Sequence, residues 1–183
     1  GHEYGHGIQN RMVAGPDNQL SGHQARAMGE SWSDLTAIEY LNEYNFVPVE
    51  GENVFTIGAY VTGNKEHGIR NYNMSRNTVV GGYHSGPPFG TPVVANPLNY
   101  SDVEYDNTGA LSPHADGEIW SAVNWDIRDL LIAKYNASWP ASDPVLQKKC
   151  ADGKDTPDHC PGNRRWIQIV HDAFLLMADG AVS

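Results

Sequence analysis

The stretch QARAMGESWSDLTAIEYLNEY, residues 24–44, carries the strongest secondary-structure signal in the chain. Its large apolar side chains recur every three or four positions and form one stripe: Met28, Trp32, Leu35, Ile38 and Leu41. Side chains with this spacing share one face of an α-helix. The pattern therefore predicts a helix of about five turns whose apolar face is buried.

Three other segments predict helices. Apolar residues recur every four positions over residues 1–13, and the sequence Gly15-Pro16 ends that pattern. One apolar face is also present in the segment that begins near His114 and in residues 166–178. Helices are therefore expected on both sides of residues 24–44.

The region between the second and third predicted helices is irregular. The runs VFTI at residues 54–57 and AYVT at residues 59–62 are β-prone, and they predict a hairpin within residues 54–72. Residues 72–113 are rich in glycine, proline, asparagine and serine, which indicates long loops. The predicted fold class is mostly α, with a small β hairpin and long loops.

The charge balance excludes two classes of partner. Acidic residues outnumber basic ones by 22 to 12, which gives a net charge of -10. Nucleic acids and anionic membrane surfaces both require concentrated lysine and arginine, so neither is expected to bind here. The longest purely apolar run, residues 173–178, is far too short to span a membrane.

The two cysteines lie ten positions apart in a polar loop, at Cys150 and Cys160. This spacing favours a local disulfide and an oxidising compartment, and the alternative is a pair of free thiols. Asp152, Asp155 and Asp158 in the same loop are candidate Ca²⁺ ligands. Their spacing lacks the glycine and the closing glutamate of a known calcium loop, so a solvated acidic loop is favoured.

The string HEYGH at residues 2–6 has the form H-E-x-x-H. Positions i and i+4 of a helix project from the same face one turn apart, so His2 and His6 can bind one metal ion. Glu3 lies beside that face, where its carboxylate can reach a metal-bound water. The alternative is a pair of solvated histidines on a helix surface.

A second pair of residues with helical spacing, Glu30 and Asp34, lies in the helix predicted over residues 24–44. A catalytic zinc takes three protein ligands and keeps one open position, which makes Glu30 the candidate third ligand. Asp34, one turn later, can accept the free N–H of a ligating histidine. The alternative is two ordinary charges on a solvated face, but their apolar neighbours make unpaired carboxylates unfavourable there.

The strings HEYGHGIQNR at residues 2–11 and MGESWSD at residues 28–34 resemble the fungalysin family of zinc metallopeptidases. More broadly, they resemble the thermolysin-like clan, whose third zinc ligand is a glutamate in an E-x-x-x-D helix. Two further stretches match in order, GIRNY at residues 68–72 and HADGEIW at residues 114–120. The resemblance runs to about residue 136 and continues weakly through the last helix, whereas the cysteine loop has no counterpart.

The resemblance implies a role for each residue of these motifs. His2, His6 and Glu30 are expected to bind Zn²⁺, and Glu3 is expected to be the general base that deprotonates the zinc-bound water and passes the proton to the leaving amine. His114 is expected to stabilise the oxyanion of the tetrahedral intermediate. The alternative for His114 is a helix-start histidine with no role.

Arg70 and Asp34 receive supporting roles from the same resemblance. Arg70 is expected to hold a substrate carbonyl, and its alternative is a surface arginine. Asp34 is expected to orient His2. The remaining histidines lack a partner at metal-ligand spacing and are expected to be structural or solvent-facing: His23, His67, His84, His159 and His171.

The resemblance also implies a domain organisation. Residues 1–183 are expected to form a thermolysin-like C-terminal helical subdomain of a catalytic unit, truncated at both ends. A β-rich subdomain and a propeptide would precede it, so the chain alone is expected to be weak or inactive. The expected partner is a protein or peptide substrate, and the expected location is extracellular, by secretion.

Two alternatives to a fungalysin endopeptidase are considered. The first is another thermolysin-like metallopeptidase. The second is a non-catalytic helical module that keeps the motif as a structural metal site. In that module a fourth protein ligand, rather than a water, would complete the coordination sphere.

Overall fold

The computed structural model describes residues 1–13, 15, 19–43, 57–63, 68–72, 74, 82–84, 91–93, 96–106 and 111–177. This part of the chain contains six α-helices: α1 His2–Met12, α2 His23–Glu43, α3 Ala59–Thr62, α4 Pro113–Tyr135, α5 Pro144–Ala151 and α6 Gly162–Leu176. Short 3₁₀ turns lie at Tyr100–Asp102 and Pro157–His159. The prediction of a mostly α fold is confirmed.

Helix α2 is at the centre of the bundle. It packs mainly against α4, and it also contacts α1 and α6. Trp32, Leu35 and Ile38 of its apolar stripe are buried. They share one core with Trp125 of α4 and Phe174 of α6, and the rings of Trp32 and Phe174 meet edge to face with centroids 4.9 Å apart. The stripe that predicts this helix therefore also forms its packing surface.

A buried ionic group lies further along α2. The Glu39 carboxylate is 2% exposed and accepts hydrogen bonds from Arg128 of α4 and, at 2.8 Å, from Nδ2 of Asn163 of α6. Burial alone would raise the pKa of Glu39, but the Arg128 charge and the Asn163 hydrogen bond hold it below its ordinary value. Glu39 therefore joins three helices as an anion.

The hairpin predicted within residues 54–72 is not seen in the described part of that region. Residues 59–62 form α3 rather than a strand, and the glycines on either side, Gly58 and Gly63, have left-handed φ angles of 73° and 67°. Two left-handed residues limit the segment to a single helical turn. Tyr60 within it is 99% exposed, and no strand among the described residues covers it. Residues 54–56 lie outside the described residues.

A short antiparallel strand pair lies in the region predicted to be loops. Strand β1, Gly82–His84, pairs with β2, Thr91–Val93, with Gly82 opposite Val93. The pair is three residues long in each strand, which is at the lower limit of strand length. It adds little to the helical architecture that positions the candidate site.

Helix α5 is absent from the sequence prediction, and α6 begins at Gly162, four residues earlier than expected. The Asp143 carboxylate caps α5 by accepting from the backbone N–H groups of Val145 and Leu146. A disulfide between Cys150 and Cys160 then joins the end of α5 to the start of α6, with the two Cα atoms 5.9 Å apart. None of the described helices combines the length and apolarity needed to cross a membrane.

Candidate metal centre

Helix α1 presents His2 and His6 on one face, one turn apart. Their Nε2 atoms are 3.0 Å apart, and their ring centroids are 4.6 Å apart. The Gly1 carbonyl accepts a hydrogen bond of 2.9 Å from the N–H of Gly5, which closes the helical turn between them. Both side chains are partly buried. The spacing of the H-E-x-x-H string therefore brings the two imidazoles together, as predicted.

Glu30 of α2 faces both histidines. Its Oε2 is 3.4 Å from Nε2 of His2, and its Oε1 is 3.3 Å from Nε2 of His6. One candidate ligand atom from each of the three residues lies within 4.8 Å of the other two. In the described part of the chain, this is the one group of at least three His, Cys, Asp or Glu side chains with such spacing.

The donor set and its spacing fit Zn²⁺. Ligand atoms about 2.0–2.2 Å from zinc in a tetrahedral arrangement are about 3.3–3.6 Å from one another. Here the two Nε2 atoms are 3.0 Å apart, slightly closer than this, and they lie 3.4 and 3.3 Å from the two different oxygens of Glu30. Over the described residues no fourth side chain joins the group.

Helices α1 and α2 approach closely because Gly5 faces Ser33. A Cβ atom at position 5 would lie 2.8 Å from the Cα of Ser33, closer than such atoms pack. A similar contact brings α4 against α2, where a Cβ at Gly117 would lie 2.9 Å from the Glu30 Cβ. Glycines at these two contacts thus allow three helices to converge on Glu30.

Asp34 contacts the second nitrogen of His2. Its Oδ1 is 2.7 Å from Nδ1 of His2, and the carboxylate is buried one turn after Glu30. Burial alone would lower the pKa of His2, but hydrogen bonds with Asp34 and Glu30 outweigh it and raise that pKa to about 9. An acceptor at Nδ1 holds the proton there and directs the Nε2 lone pair toward a metal.

Arg70 lies behind the two carboxylates of α2. Its Nη2 is 3.0 Å from Oε2 of Glu30, and its Nε and Nη2 are 2.8 and 3.0 Å from the two oxygens of Asp34. The side chain is 5% exposed, so the alternative of a surface arginine is wrong. The contact with a substrate carbonyl stays a prediction, whereas the contact with the ligand carboxylate is a feature that the sequence analysis missed.

The charges around Glu30 keep it ionised. Burial alone would raise its pKa, but hydrogen bonds with His2 and His6 and the charge of Arg70 hold the pKa well below its ordinary range. A carboxylate must be deprotonated to bind a metal. The surroundings of Glu30 therefore already favour the form in which it is a ligand.

His114 borders the group on its exposed side, and Glu3 is the residue after His2 in the chain. His114 lies in the first turn of α4, and its Nε2 is 3.6 Å from Oε1 of Glu30 while 69% of its side chain is exposed. Glu3 is exposed on α1, next to His2. Both side chains are accessible to solvent, as a general base and an oxyanion donor must be.

Glu118 of α4 fixes the segment that carries Arg70. Its carboxylate accepts from the backbone N–H groups of Asn71, at 2.5 Å, and Tyr72, at 3.3 Å, and from the hydroxyl of Tyr105. Burial raises the pKa of Glu118 to about 8, in spite of the Tyr105 hydrogen bond and the Arg70 charge. The string HADGEIW contains this glutamate, but no spacing in the sequence links it to residues 70–72.

Gln9 is the second residue that the sequence analysis missed. It is 1% exposed, and its Nε2 is 2.8 Å from Nδ1 of His6. Its position three residues after His6 is a usable signal, because residues i and i+3 are neighbours on a helix surface. The Gln9 amide therefore contacts Nδ1 of His6, and Asp34 contacts the same ring atom, Nδ1, of His2.

The remaining candidates lie away from the group. His23 pairs with Asp116 at 2.5 Å, which is a structural contact, as expected for that histidine. In the disulfide loop, Asp152 contacts Lys154 at 2.7 Å, and Asp155 contacts His159 at 3.3 Å. Over the described residues, no group of ligands that could hold a cation includes these aspartates. The side chains of His67 and His84 lie outside the described residues.

The comparison with known families agrees with this geometry. A family model described as Fungalysin metallopeptidase (M36) matches residues 1–180. The chain belongs to the fungalysin family. The resemblance noted in the sequence is thereby confirmed, and the family name denotes peptidases that use a metal.

Three fungal relatives show how much of a fungalysin this chain spans. It is 30% identical to Extracellular metalloproteinase 2 of Trichophyton tonsurans over 180 residues, which is 96% of this chain and 23% of the relative. It is 35% identical to Extracellular metalloproteinase 4 of Arthroderma otae over 137 residues, 73% of this chain and 17% of the relative. It is 31% identical to Extracellular metalloproteinase mep of Aspergillus niger over 156 residues, which is 84% of this chain and 21% of the relative. The chain thus spans roughly a fifth of these fungalysins.

Proposed function

We propose that this fungalysin chain carries the zinc centre of an endopeptidase. The observation that supports the proposal most directly is the convergence of three donor groups: the Nε2 atoms of His2 and His6 are 3.0 Å apart, and they lie 3.4 Å from Oε2 and 3.3 Å from Oε1 of Glu30, close to the spacing of tetrahedral zinc ligands. Family membership supports the peptidase activity. His2, His6 and Glu30 are the proposed ligands.

Zinc bound there would polarise a scissile carbonyl and lower the pKa of a coordinated water. Glu3 takes a proton from the attacking water and delivers it to the leaving amine. His114 donates a hydrogen bond to the oxyanion, a role that its 69% exposed side chain permits. Asp34 and Arg70 hold the ligands from behind, through Nδ1 of His2 and Oε2 of Glu30.

The proposed substrate is a protein or peptide, and the proposed location is extracellular. The names of the relatives support both, because each is an extracellular metalloproteinase. The Cys150–Cys160 disulfide also supports secretion, since disulfides persist in oxidising compartments.

We further propose that residues 1–183 are the C-terminal helical subdomain of a larger catalytic unit. The chain matches only 17–23% of the length of these relatives, which supports this organisation. A β-rich subdomain would form the other wall of the substrate cleft, and a propeptide would precede it. The chain alone is then expected to cleave peptides weakly, because the substrate loses most of its positioning contacts.

The test replaces each proposed ligand by alanine in the intact protein: His2→Ala, His6→Ala and Glu30→Ala. Elemental analysis is expected to show loss of bound zinc in each variant, together with loss of peptide cleavage. His159→Ala is the matched control, because this histidine is exposed and contacts an aspartate in the disulfide loop. Undiminished zinc in all three ligand variants would rule out the assignment, and zinc retention without any cleavage by the unmodified protein would favour a structural site.

A further inference from the structure

A groove of about 230 Å³ lies between α4 and α6. Met28 and Trp32 of α2 line it, and each is two positions from Glu30, so both lie on the opposite side of α2 from that proposed ligand. The α4–α6 groove is therefore separate from the metal centre. Its other walls are mainly apolar and include Trp120, Val123 and Ile127 of α4 and Trp166, Ile169 and Ala173 of α6.

Exposed apolar side chains extend the groove along both helices. The side chains recur at positions i, i+4 and i+7, as Val123, Ile127 and Leu130 on α4 and as Ile169, Ala173 and Leu176 on α6. Val123 is 42% exposed, Leu130 71%, Ile169 50% and Leu176 87%. Soluble proteins rarely leave contiguous apolar patches open to water, and such patches mark interaction surfaces. Two apolar stripes at helical spacing form a groove of the kind that accepts the apolar side of a polypeptide segment.

Trp166 brings a polar atom to the wall of the groove. Its indole Nε1 is buried and has no hydrogen-bond partner among the described residues. An indole N–H only donates, and a buried donor without an acceptor is unfavourable. A polypeptide offers carbonyl oxygens as acceptors, whereas a hydrocarbon chain offers none. The α4–α6 groove therefore fits a peptide segment better than it fits a lipid.

The charges beside the groove indicate the chemistry of the occupant. Asp126 lies three residues after Val123, Asp172 lies three residues after Ile169, and both aspartates are exposed. Residues three apart are neighbours on a helix surface, so each helix carries a carboxylate beside its apolar stripe. The chain has a net charge of -10, and a second copy docked by two-fold symmetry would bring carboxylates close to carboxylates. An occupant with lysine or arginine beside its apolar side chains is favoured instead.

We propose that the α4–α6 groove docks a segment of the same polypeptide from outside residues 1–183. This segment places large apolar side chains between the two helices, a carbonyl oxygen at the Trp166 N–H, and lysine or arginine beside Asp126 and Asp172. The inference rests on the proposed larger catalytic unit, because that unit supplies the segment. The chain matches 17–23% of the length of its relatives, so most of each relative lies outside the matched region. Docking covers Met28 and Trp32, and it thereby supports from behind the helix that carries Glu30.

The experiment uses the intact protein with p-benzoylphenylalanine, a photoreactive amino acid, in place of Ile169. Irradiation followed by mass spectrometry is expected to identify an intramolecular adduct with a segment outside residues 1–183 that contains apolar residues and lysine or arginine. Val145 of α5 is the matched control position, because it is also an exposed aliphatic residue on a helix. The photoreactive residue at position 145 is expected to give no adduct with that segment.

Substitutions at the two aspartates test the charge complementarity. Asp126→Lys combined with Asp172→Lys is expected to lower the adduct yield from position 169 several-fold, because like charges then face each other. Asp126→Asn combined with Asp172→Asn is expected to lower the yield less. Asp158→Lys is the control for a reversal of surface charge, since the Asp158 side chain is 93% exposed in the disulfide loop. This control is expected to leave the yield unchanged.

Several results would overturn the proposal. They are an adduct between two copies of the protein, the same adduct in equal yield from positions 169 and 145, and the absence of any adduct outside residues 1–183. Yields that do not respond to the lysine substitutions would overturn the basic character of the segment. None of these results involves zinc, so the proposed metal centre would stand. A mature protein whose mass corresponds to residues 1–183 alone would overturn the larger catalytic unit as well.

Discussion

The guanidinium of Arg70 binds both carboxylate oxygens of Asp34, with Nε 2.8 Å from Oδ2 and Nη2 3.0 Å from Oδ1. Both side chains are buried, at 5% and 2% exposure. Two parallel hydrogen bonds of this kind define orientation as well as distance. Asp34 is thereby held in the position from which it contacts His2.

We expect Arg70→Leu to lower the free energy of unfolding by about 3–5 kcal/mol, because removal of one partner leaves buried carboxylates without a counter-charge. Urea unfolding monitored by circular dichroism measures this change. Arg26→Leu is the control, since Arg26 is an exposed arginine on the same helix as Asp34 and its loss is expected to change stability little. Equal stabilities of the two variants would contradict the structural role of Arg70.

Glu3→Gln is expected to retain zinc and to lose peptide cleavage in the intact protein. An amide cannot take a proton from the attacking water, and loss of a general base slows turnover about a hundredfold or more. Zinc content by elemental analysis and turnover of a peptide substrate are measured together. Turnover near the native value would exclude Glu3 as the base.

His114→Ala is expected to lower turnover without changing zinc content. The side chain is 3.6 Å from Glu30 but is not a member of the group with metal-ligand spacing. Loss of an oxyanion donor lowers turnover about a hundredfold to a thousandfold. If zinc were lost instead, His114 would be reassigned as a ligand.

Two glycines of α1 form a matched pair for testing the contact between α1 and α2. A Cβ at Gly5 would lie 2.8 Å from the Ser33 Cα, whereas a Cβ at Gly7 would meet only Nη1 of Arg11, at 3.4 Å. Gly7→Ala is expected to stabilise the protein by about 0.5–1 kcal/mol, since alanine favours the helix. Gly5→Ala is expected to separate the histidines from Glu30 and to lower both stability and zinc affinity. Calorimetry of unfolding and zinc titration distinguish the two variants, and equal effects would contradict the close contact.

The buried Glu118 predicts a dependence of stability on pH. Its pKa is raised from 4.5 to about 8, so the folded state binds the proton more tightly than the unfolded state. The stabilisation by this proton is complete below pH 4.5 and is lost as the pH rises through about 8. Glu118→Gln does not titrate and keeps an acceptor for the N–H of Asn71. Urea unfolding measures the free energy of unfolding of both proteins at pH 5 and at pH 8.5. As the pH rises between these values, the variant is expected to gain stability relative to the native protein. Parallel pH profiles of the two proteins would exclude this titration.

Much of the site could be predicted because its spacing is local. The pairs His2–His6 and Glu30–Asp34 are each four residues apart, and helical periodicity alone places each pair on one face. The long apolar stripe of α2 likewise predicts both the helix and its buried side. In these cases the spacing that carries the prediction lies within one helix. The contact between α1 and α2 is a feature of the folded structure.

The features that were missed depend on contacts between distant segments or on backbone conformation. Arg70 reaches Asp34 across 36 residues, and Glu118 reaches the N–H of Asn71 across 47, so no periodicity within one element signals either contact. The β-prone residues 59–62 form a helical turn because left-handed glycines at both ends override side-chain preference. The polar helix α5 is short and lacks a long apolar stripe, although Asp143 and Pro144 are a recognisable start signal.

Helix α2 also bears on the order of folding, through the carboxylate of Glu39. Its partners, Arg128 and Asn163, follow it by 89 and 124 residues. An unpaired carboxylate is unfavourable in an apolar core, so the native packing of α2 requires partners from both later segments. Contacts of such long range are slow to form. The helix that presents Glu30 therefore depends for its native packing on residues that follow Glu39 by as many as 124 positions.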